Sequence, residues 1–133
     1  MATTQRPSNR RQTLGRLGED LVTKRLVNAG WEILARNWRS PDPLVRGELD
    51  VVAVDPGDRA LVFVEVKTRR SATAFGGPLA AVTHTKQAKL RQLGVSFLRE
   101  TGTRARLVRF DVIGVVVESG SAAPSIEHVR GAC

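Results

Sequence analysis

Two carboxylates stand inside otherwise apolar stretches of this sequence, Asp50 in LDVVAV (49–54) and Glu65 in LVFVEV (61–66), and Lys67 follows Glu65 by two positions. Both stretches have strand length and strand composition, and DPGDRA (55–60) between them is a turn signal, so together they read as a β-hairpin. If Val54 pairs with Leu61, the same antiparallel register sets Asp50 opposite Glu65. Directly opposed side chains have Cβ atoms about 4.5–5.5 Å apart, where two like charges repel and destabilise the sheet. A cation between them removes that repulsion. Two hard oxygens at this separation are the usual protein share of a Mg²⁺ site, the other ligands being water and substrate phosphate. Lys67 points to the same face as Glu65, where its ammonium would hold a nucleophilic water or neutralise charge developing on a phosphate. The chemistry that fits is metal-assisted hydrolysis of a phosphodiester. The bland alternative is a solvated strand end with an ordinary ion pair, which the apolar flanks argue against.

The order Asp50, then Glu65-Val66-Lys67, resembles the D…E-x-K core of the PD-(D/E)xK nuclease superfamily. The wider pattern is similar to the YraN-like uncharacterised family, relatives of Holliday-junction resolvases. The stretches that carry this resemblance are Gly15-Arg16-Leu17-Gly18-Glu19, Gly47-Glu48-Leu49-Asp50, Phe63-Val64-Glu65-Val66-Lys67-Thr68-Arg69 and Arg109-Phe110-Asp111-Val112-Ile113. The resemblance implies an α/β fold with a restriction-endonuclease-like αβββαβ core, a central mixed sheet flanked by helices. It also implies a site dependent on Mg²⁺ (or Mn²⁺), with Asp50, Glu65 and the Val66 carbonyl as metal ligands and Lys67 positioning the attacking water. The implied partner is nucleic acid, DNA ahead of RNA, in structured or branched form, and the resolvase analogy adds a homodimer. Pro41-Asp42 spells the superfamily's literal motif but lies in a proline loop, so the metal role falls to Asp50 within Glu48-Leu49-Asp50. Two other classes compete: a catalytically silent nucleic-acid-binding protein that keeps the nuclease fold, and a protein that docks its basic surface on an acidic protein or a ribosome.

The elements that must position these residues follow from hydrophobic spacing. Residues 1–13 are polar, aperiodic and Arg-bearing, and read as a disordered basic tail ahead of a single domain over 14–130. Leu14, Leu17, Leu21, Val22, Leu26 and Ala29 share one face of a helix over 14–29, with Thr13 as cap and Gly30 as its C′ glycine. A short strand over 31–35 and a loop over 39–47 lead to the hairpin, whose strands are apolar on both faces and so belong in a sheet covered on both sides. A loop over 68–79, a helix over 84–100 ended by Gly102, a strand over 107–117 and a short one over 126–129 complete the chain. Glu19 sits at the edge of the first helix's apolar face: it reaches the metal as a further ligand, or it is a surface glutamate favoured by the helix dipole, and both readings stay open. Glu48, two positions before Asp50, is read as pointing to the opposite face and as structural.

The 133 residues carry 21 Lys+Arg against 13 Asp+Glu, a formal net charge of +8. The tail holds three of those charges, so the excess belongs to the folded part as well as the tail and indicates a polyanionic partner. Arg69 and Arg70 follow the catalytic strand and would clamp a flanking phosphate. Lys86 and Gln87 open the second helix, where a lysine is disfavoured by the dipole and free N–H groups favour an anion. With Lys89 and Arg91 they form a candidate nucleic-acid face. Asp111, in an apolar strand, is expected to pair with an arginine or a backbone N–H. His84 and His128 read as isolated and non-ligating, Trp31 and Trp38 as packing residues. Cys133 is the only cysteine, which excludes an internal disulfide or a cysteine-ligated zinc. No secretory h-region or membrane-length apolar run is present, so the cytoplasm is the expected compartment.

Overall fold

The structure, a computed structural model, describes residues 10–70, 83–117 and 123–132. The elements run α1 (Arg10–Asn28), β1 (Glu32–Trp38), β2 (Leu49–Val54), β3 (Leu61–Arg69), α2 (His84–Thr101), β4 (Val108–Val116) and β5 (Ser125–Val129). One five-stranded sheet has the order β1-β2-β3-β4-β5. β3 and β4 are parallel, joined by the crossover that contains α2, and the other neighbours are antiparallel. The fold is therefore α/β with a mixed sheet, consistent with the restriction-endonuclease-like core.

The hairpin forms in the expected register. Val54 pairs with Leu61 and Val51 with Val64. Alternation along the two strands then covers both faces. Val51, Ala53, Val62 and Val64 pack with Ile113 and Val115 against Val22 and Leu26 of α1. Val52, Leu61 and Phe63 pack against Leu90, Leu93 and Phe97 of α2. An apolar layer on each side accounts for strands that show no polar face in sequence.

Helix ends follow their sequence signals in three places. Gly30, with φ 92°, lets the Trp31 N–H reach Leu26 O at 2.9 Å and the Gly30 N–H reach Val27 O at 3.0 Å, the paired bonds of a Schellman motif. Thr83 caps α2 by accepting from the Lys86 N–H at 3.2 Å, and Gly102, with φ 69°, donates to Leu98 O. The start of α1 differs from expectation. It begins at Arg10, so 10–13 are helical rather than tail, and Thr13 lies inside the helix rather than capping it. β1 extends to Trp38, beyond the expected end at 35, because a bulge between Ile33 and Ala35 resets the alternation and the pairing continues to Leu49. β3 likewise runs through Thr68 and Arg69, since the parallel ladder to β4 continues to Val116. The rest of the loop expected over 68–79, from 71 onward, lies outside the described residues, as do 1–9 of the expected tail.

A polar network fixes the sheet end remote from Asp50. Asp111, 1% exposed, accepts from Arg109 Nε at 2.9 Å and from the Gly131 N–H at 2.9 Å, and its Oδ2 lies 2.7 Å from His128 Nε2. Burial alone would raise its pKa, but these hydrogen bonds, from His128 first, hold it down to about 2. The expected arginine and N–H partners of Asp111 are both present. His128 is not isolated: it is a member of this network and packs against Trp31, over which Arg109 and Arg130 also lie.

Candidate metal centre

The centre is built where β2 begins and β3 nears its end. Register from Val51–Val64, continued one step, brings Asp50 beside Glu65. Asp50 is only 9% exposed, and its Oδ2 accepts the Val66 N–H at 2.8 Å. Burial pushes its carboxyl up to about 8; the charge of Glu65 adds to the rise, the Val66 N–H opposes it, and Glu19 and Glu48 add further. The charges of three other carboxylates thus all act on Asp50.

Glu19 and Glu48 complete the cluster. One carboxylate oxygen from each of Glu19, Glu48 and Asp50 lies within 4.8 Å of the others. Glu19, half-buried on α1, thus lies beside Asp50. α1 is brought close enough by Gly18, whose missing side chain lets Thr68 of β3 lie against the helix backbone. For Glu48 the sequence reading is corrected: it converges with Asp50 instead of facing away. Positions two apart along an extended chain share a face, so alternation from Asp50 back through Leu49 itself brings Glu48 to the side of Asp50.

Two further residues of the centre were not singled out by sequence reasoning. Asn37 donates from Nδ2 to Glu19 Oε1 at 2.8 Å and to Glu48 Oε1 at 3.2 Å, holding the two carboxylates together. Its φ of 49° is one that asparagine adopts more readily than most residues. Arg39 Nη2 lies 3.0 Å from Glu48 Oε2.

The expected cations, with Gln87, fall in four places. Lys86 is at the centre itself, with Nζ 2.7 Å from Glu65 Oε1, so the second helix meets the site through an ion pair. Lys67 is exposed, two positions along β3 from Glu65, and makes no ion pair among the described residues. Arg69 ends β3 and Arg70 follows it, exposed. Gln87 is half-buried on α2, and Lys89 and Arg91 are exposed there, away from any ion pair among the described residues. Asp42 of the Pro-Asp pair accepts from the Leu44 N–H at 2.9 Å within its loop and takes no part in the cluster.

An all-oxygen donor set around a buried carboxylate suits a hard divalent cation such as Mg²⁺ or Mn²⁺ and not a soft one. Asp50, Glu65, Glu19 and Glu48 are the residues that would hold it. Val66 contributes its N–H to Asp50; its carbonyl is the remaining oxygen of that residue. No helix of the described residues is long and apolar enough to cross a membrane.

Comparison with known proteins places these residues in a family context. The profile of "Uncharacterised protein family UPF0102" matches residues 18–115, a span that contains all four carboxylates and Lys67. A UPF0102 protein of Rhodococcus jostii is 49% identical over 119 residues, 90% of this chain and 94% of the relative. One from Mycobacterium sp. (strain JLS) is 47% identical over 121 residues, 91% and 85% of the two chains. One from Pelobacter propionicus is 42% identical over 131 residues, 98% and 88% of the two chains.

Proposed function

We propose that this chain, which belongs to the uncharacterised protein family UPF0102, hydrolyses phosphodiester bonds in nucleic acid with the help of Mg²⁺ or Mn²⁺. The observation that carries this reading is the convergence of Glu19, Glu48 and Asp50 within 4.8 Å, with Glu65 beside Asp50. A bound divalent cation supplies Lewis-acid activation of a water and neutralises charge on the scissile phosphate. The protein's own residues do the remaining work. Asp50, fixed by the Val66 N–H, sets the position of the site on the rigid hairpin rather than on a loop. Lys67, on the same strand face as Glu65, donates hydrogen bonds from Nζ to the attacking water or to a phosphate oxygen, orienting the nucleophile. A net charge of +8 draws the polyanion to a protein whose acidic centre would otherwise repel it.

The test is cleavage of branched, duplex and single-stranded DNA and of RNA, in Mg²⁺ or Mn²⁺ and in chelator. Metal-dependent cleavage that Lys67→Ala abolishes, with nucleic-acid affinity nearly unchanged, is the expected result. Loss of cleavage and affinity together would make Lys67 only a phosphate contact. Binding without cleavage of any of these substrates would favour the silent nucleic-acid-binding protein.

A further inference from the structure

Away from the acidic centre, the β2–β3 turn and the loop that joins α2 to β4 enclose a groove of about 390 Å³. That volume lies in the range of small-ligand sites. Its floor is apolar. Leu61 opens β3 there, and Leu34 and Leu107 contribute side chains that are 40% and 48% exposed. Three guanidiniums, those of Arg59, Arg104 and Arg106, stand around this floor, and none has an ion pair among the described residues. The acid on its wall, Asp58, is already committed: Oδ2 accepts from Arg109 Nη1 at 2.7 Å and Oδ1 from the Ala60 N–H at 3.0 Å.

Arg59 carries a second, independent indication. Its φ is 62°, in the left-handed region that favours glycine. Arg59 thus holds its guanidinium at the groove, beside those of Arg104 and Arg106, from a backbone conformation that costs an arginine more than a glycine.

We propose that this groove binds one nucleotide of a single-stranded nucleic-acid segment, its phosphates on Arg59, Arg104 and Arg106 and its base on the apolar floor. Guanidiniums complement phosphate oxygens in bidentate geometry, and a base offers a flat apolar face whatever its identity. The identity of the polyanion rests on the nuclease reading; the site itself needs neither metal nor cleavage. α2 connects the two places. Lys86, near its start, is paired with Glu65, and Thr103, just past its end, lines the groove. The helix has 18 residues, so it spans about 27 Å. Along β3 the two places are nearer, Leu61 on the groove floor being four residues, about 13 Å, from Glu65, so the nucleotide held here lies outside the acidic centre but within a few nucleotides of the bond being cut.

Fluorescence anisotropy of a labelled 12-nucleotide single strand with the full chain, in chelator across a salt series, tests this. Arg59→Gly removes the guanidinium and relieves the backbone, so the variant folds. It should weaken binding about tenfold and lower the salt slope by about 0.7. Arg25→Ala, which removes one exposed charge from α1, is the reference for a non-specific effect. A loss for Arg59→Gly no larger than for Arg25→Ala, or an unchanged slope, overturns the proposal even if the chain cleaves nucleic acid. The full loss upholds it even if the chain cleaves nothing. Undiminished oligonucleotide binding with lost binding to phosphatidylserine vesicles would make the groove a membrane contact and overturn it as well.

Discussion

Lys86 Nζ lies 2.7 Å from Glu65 Oε1, and the Glu65 side chain is only 11% exposed. An amine carried by α2 thus occupies, in part, the charge environment that the acidic cluster offers to a metal ion. The ion pair makes α2 and the centre interdependent: a cation entering beside Glu65 must share that carboxylate with Lys86 or displace it.

From this follows an expectation for metal affinity. Lys86→Met should tighten Mn²⁺ binding, measured by titration calorimetry or electron paramagnetic resonance of free Mn²⁺. An ion pair with one exposed partner contributes about 0.2–1 kcal/mol, so the gain should be at most about fivefold. Lys89→Met removes the same charge one turn along α2 and should leave the affinity nearly unchanged. Equal effects of both variants would make the gain a matter of net charge alone.

The pH dependence of stability should carry the mark of Asp50. Its carboxyl is raised from 3.8 to about 8 in the folded chain, chiefly by burial and then by the charge of Glu65. Below about pH 4 the group is protonated in both states, and the fold holds its proton more tightly than the unfolded chain does. That contribution is lost as pH rises through 8, where the buried charge must be carried. Thermal stability in chelator should therefore fall between pH 4 and 8, and Asp50→Asn should flatten the decline. Asp111 acts in a separate window: with its carboxyl held down to about 2, its contribution is lost only as pH falls below about 4 toward 2. A wild-type profile that rises through pH 4–8 and matches Asp50→Asn would contradict the placement of Asp50 among like charges.

Gly18 sets how closely α1 approaches the sheet. A Cβ there would overlap Thr68 Oγ1 and lie 2.9 Å from Thr68 Cβ, and Thr68 Oγ1 is buried without a hydrogen-bond partner among the described residues. Gly18→Ala should cost about 1–3 kcal/mol by overpacking, read from denaturant unfolding. Thr68→Ala added to it should recover part of the loss, the coupling expected of residues in contact. Because Glu19 follows Gly18, the single variant should also weaken Mn²⁺ binding. A Gly18→Ala chain as stable as wild type would mean that the helix approaches less closely.

How much of this was legible in the sequence differs from residue to residue. The Asp50–Glu65 proximity was legible because a short, strongly signalled turn fixes the hairpin register, and Val54 does pair with Leu61. Covering of both sheet faces was legible in the same strands, since apolar side chains on consecutive positions leave no face for water. Glu48 was misread because a two-residue spacing was counted as opposite faces, whereas strand positions two apart share one. Asn37 was invisible because its role depends on β1 continuing past Ala35, which a bulge and pairing with β2 decide rather than local propensity. His128 reads as isolated in sequence because its partner, Asp111, is 17 positions away and meets it only through β4–β5 pairing. Interactions set by register within one hairpin can be read from the sequence; those set by how distant elements meet cannot.

The most direct test of the acidic centre compares wild type and Asp50→Asn by thermal unfolding, in chelator and with Mg²⁺ or Mn²⁺ added. At pH 9, above the value of about 8 at which the folded carboxyl ionises, Asp50→Asn keeps the shape and removes one of the clustered charges. In chelator the variant should be the more stable, by a few tenths to about 1 kcal/mol if the relief is that of one like-charge pair. Added metal should reverse the order, because wild type gains roughly RT ln(1 + [L]/Kd) and the variant gains little. The crossing is the result this account predicts. If Asp50→Asn is less stable than wild type in chelator and metal shifts neither protein, Asp50 is a structural acceptor for the Val66 N–H, and the centre holds no metal.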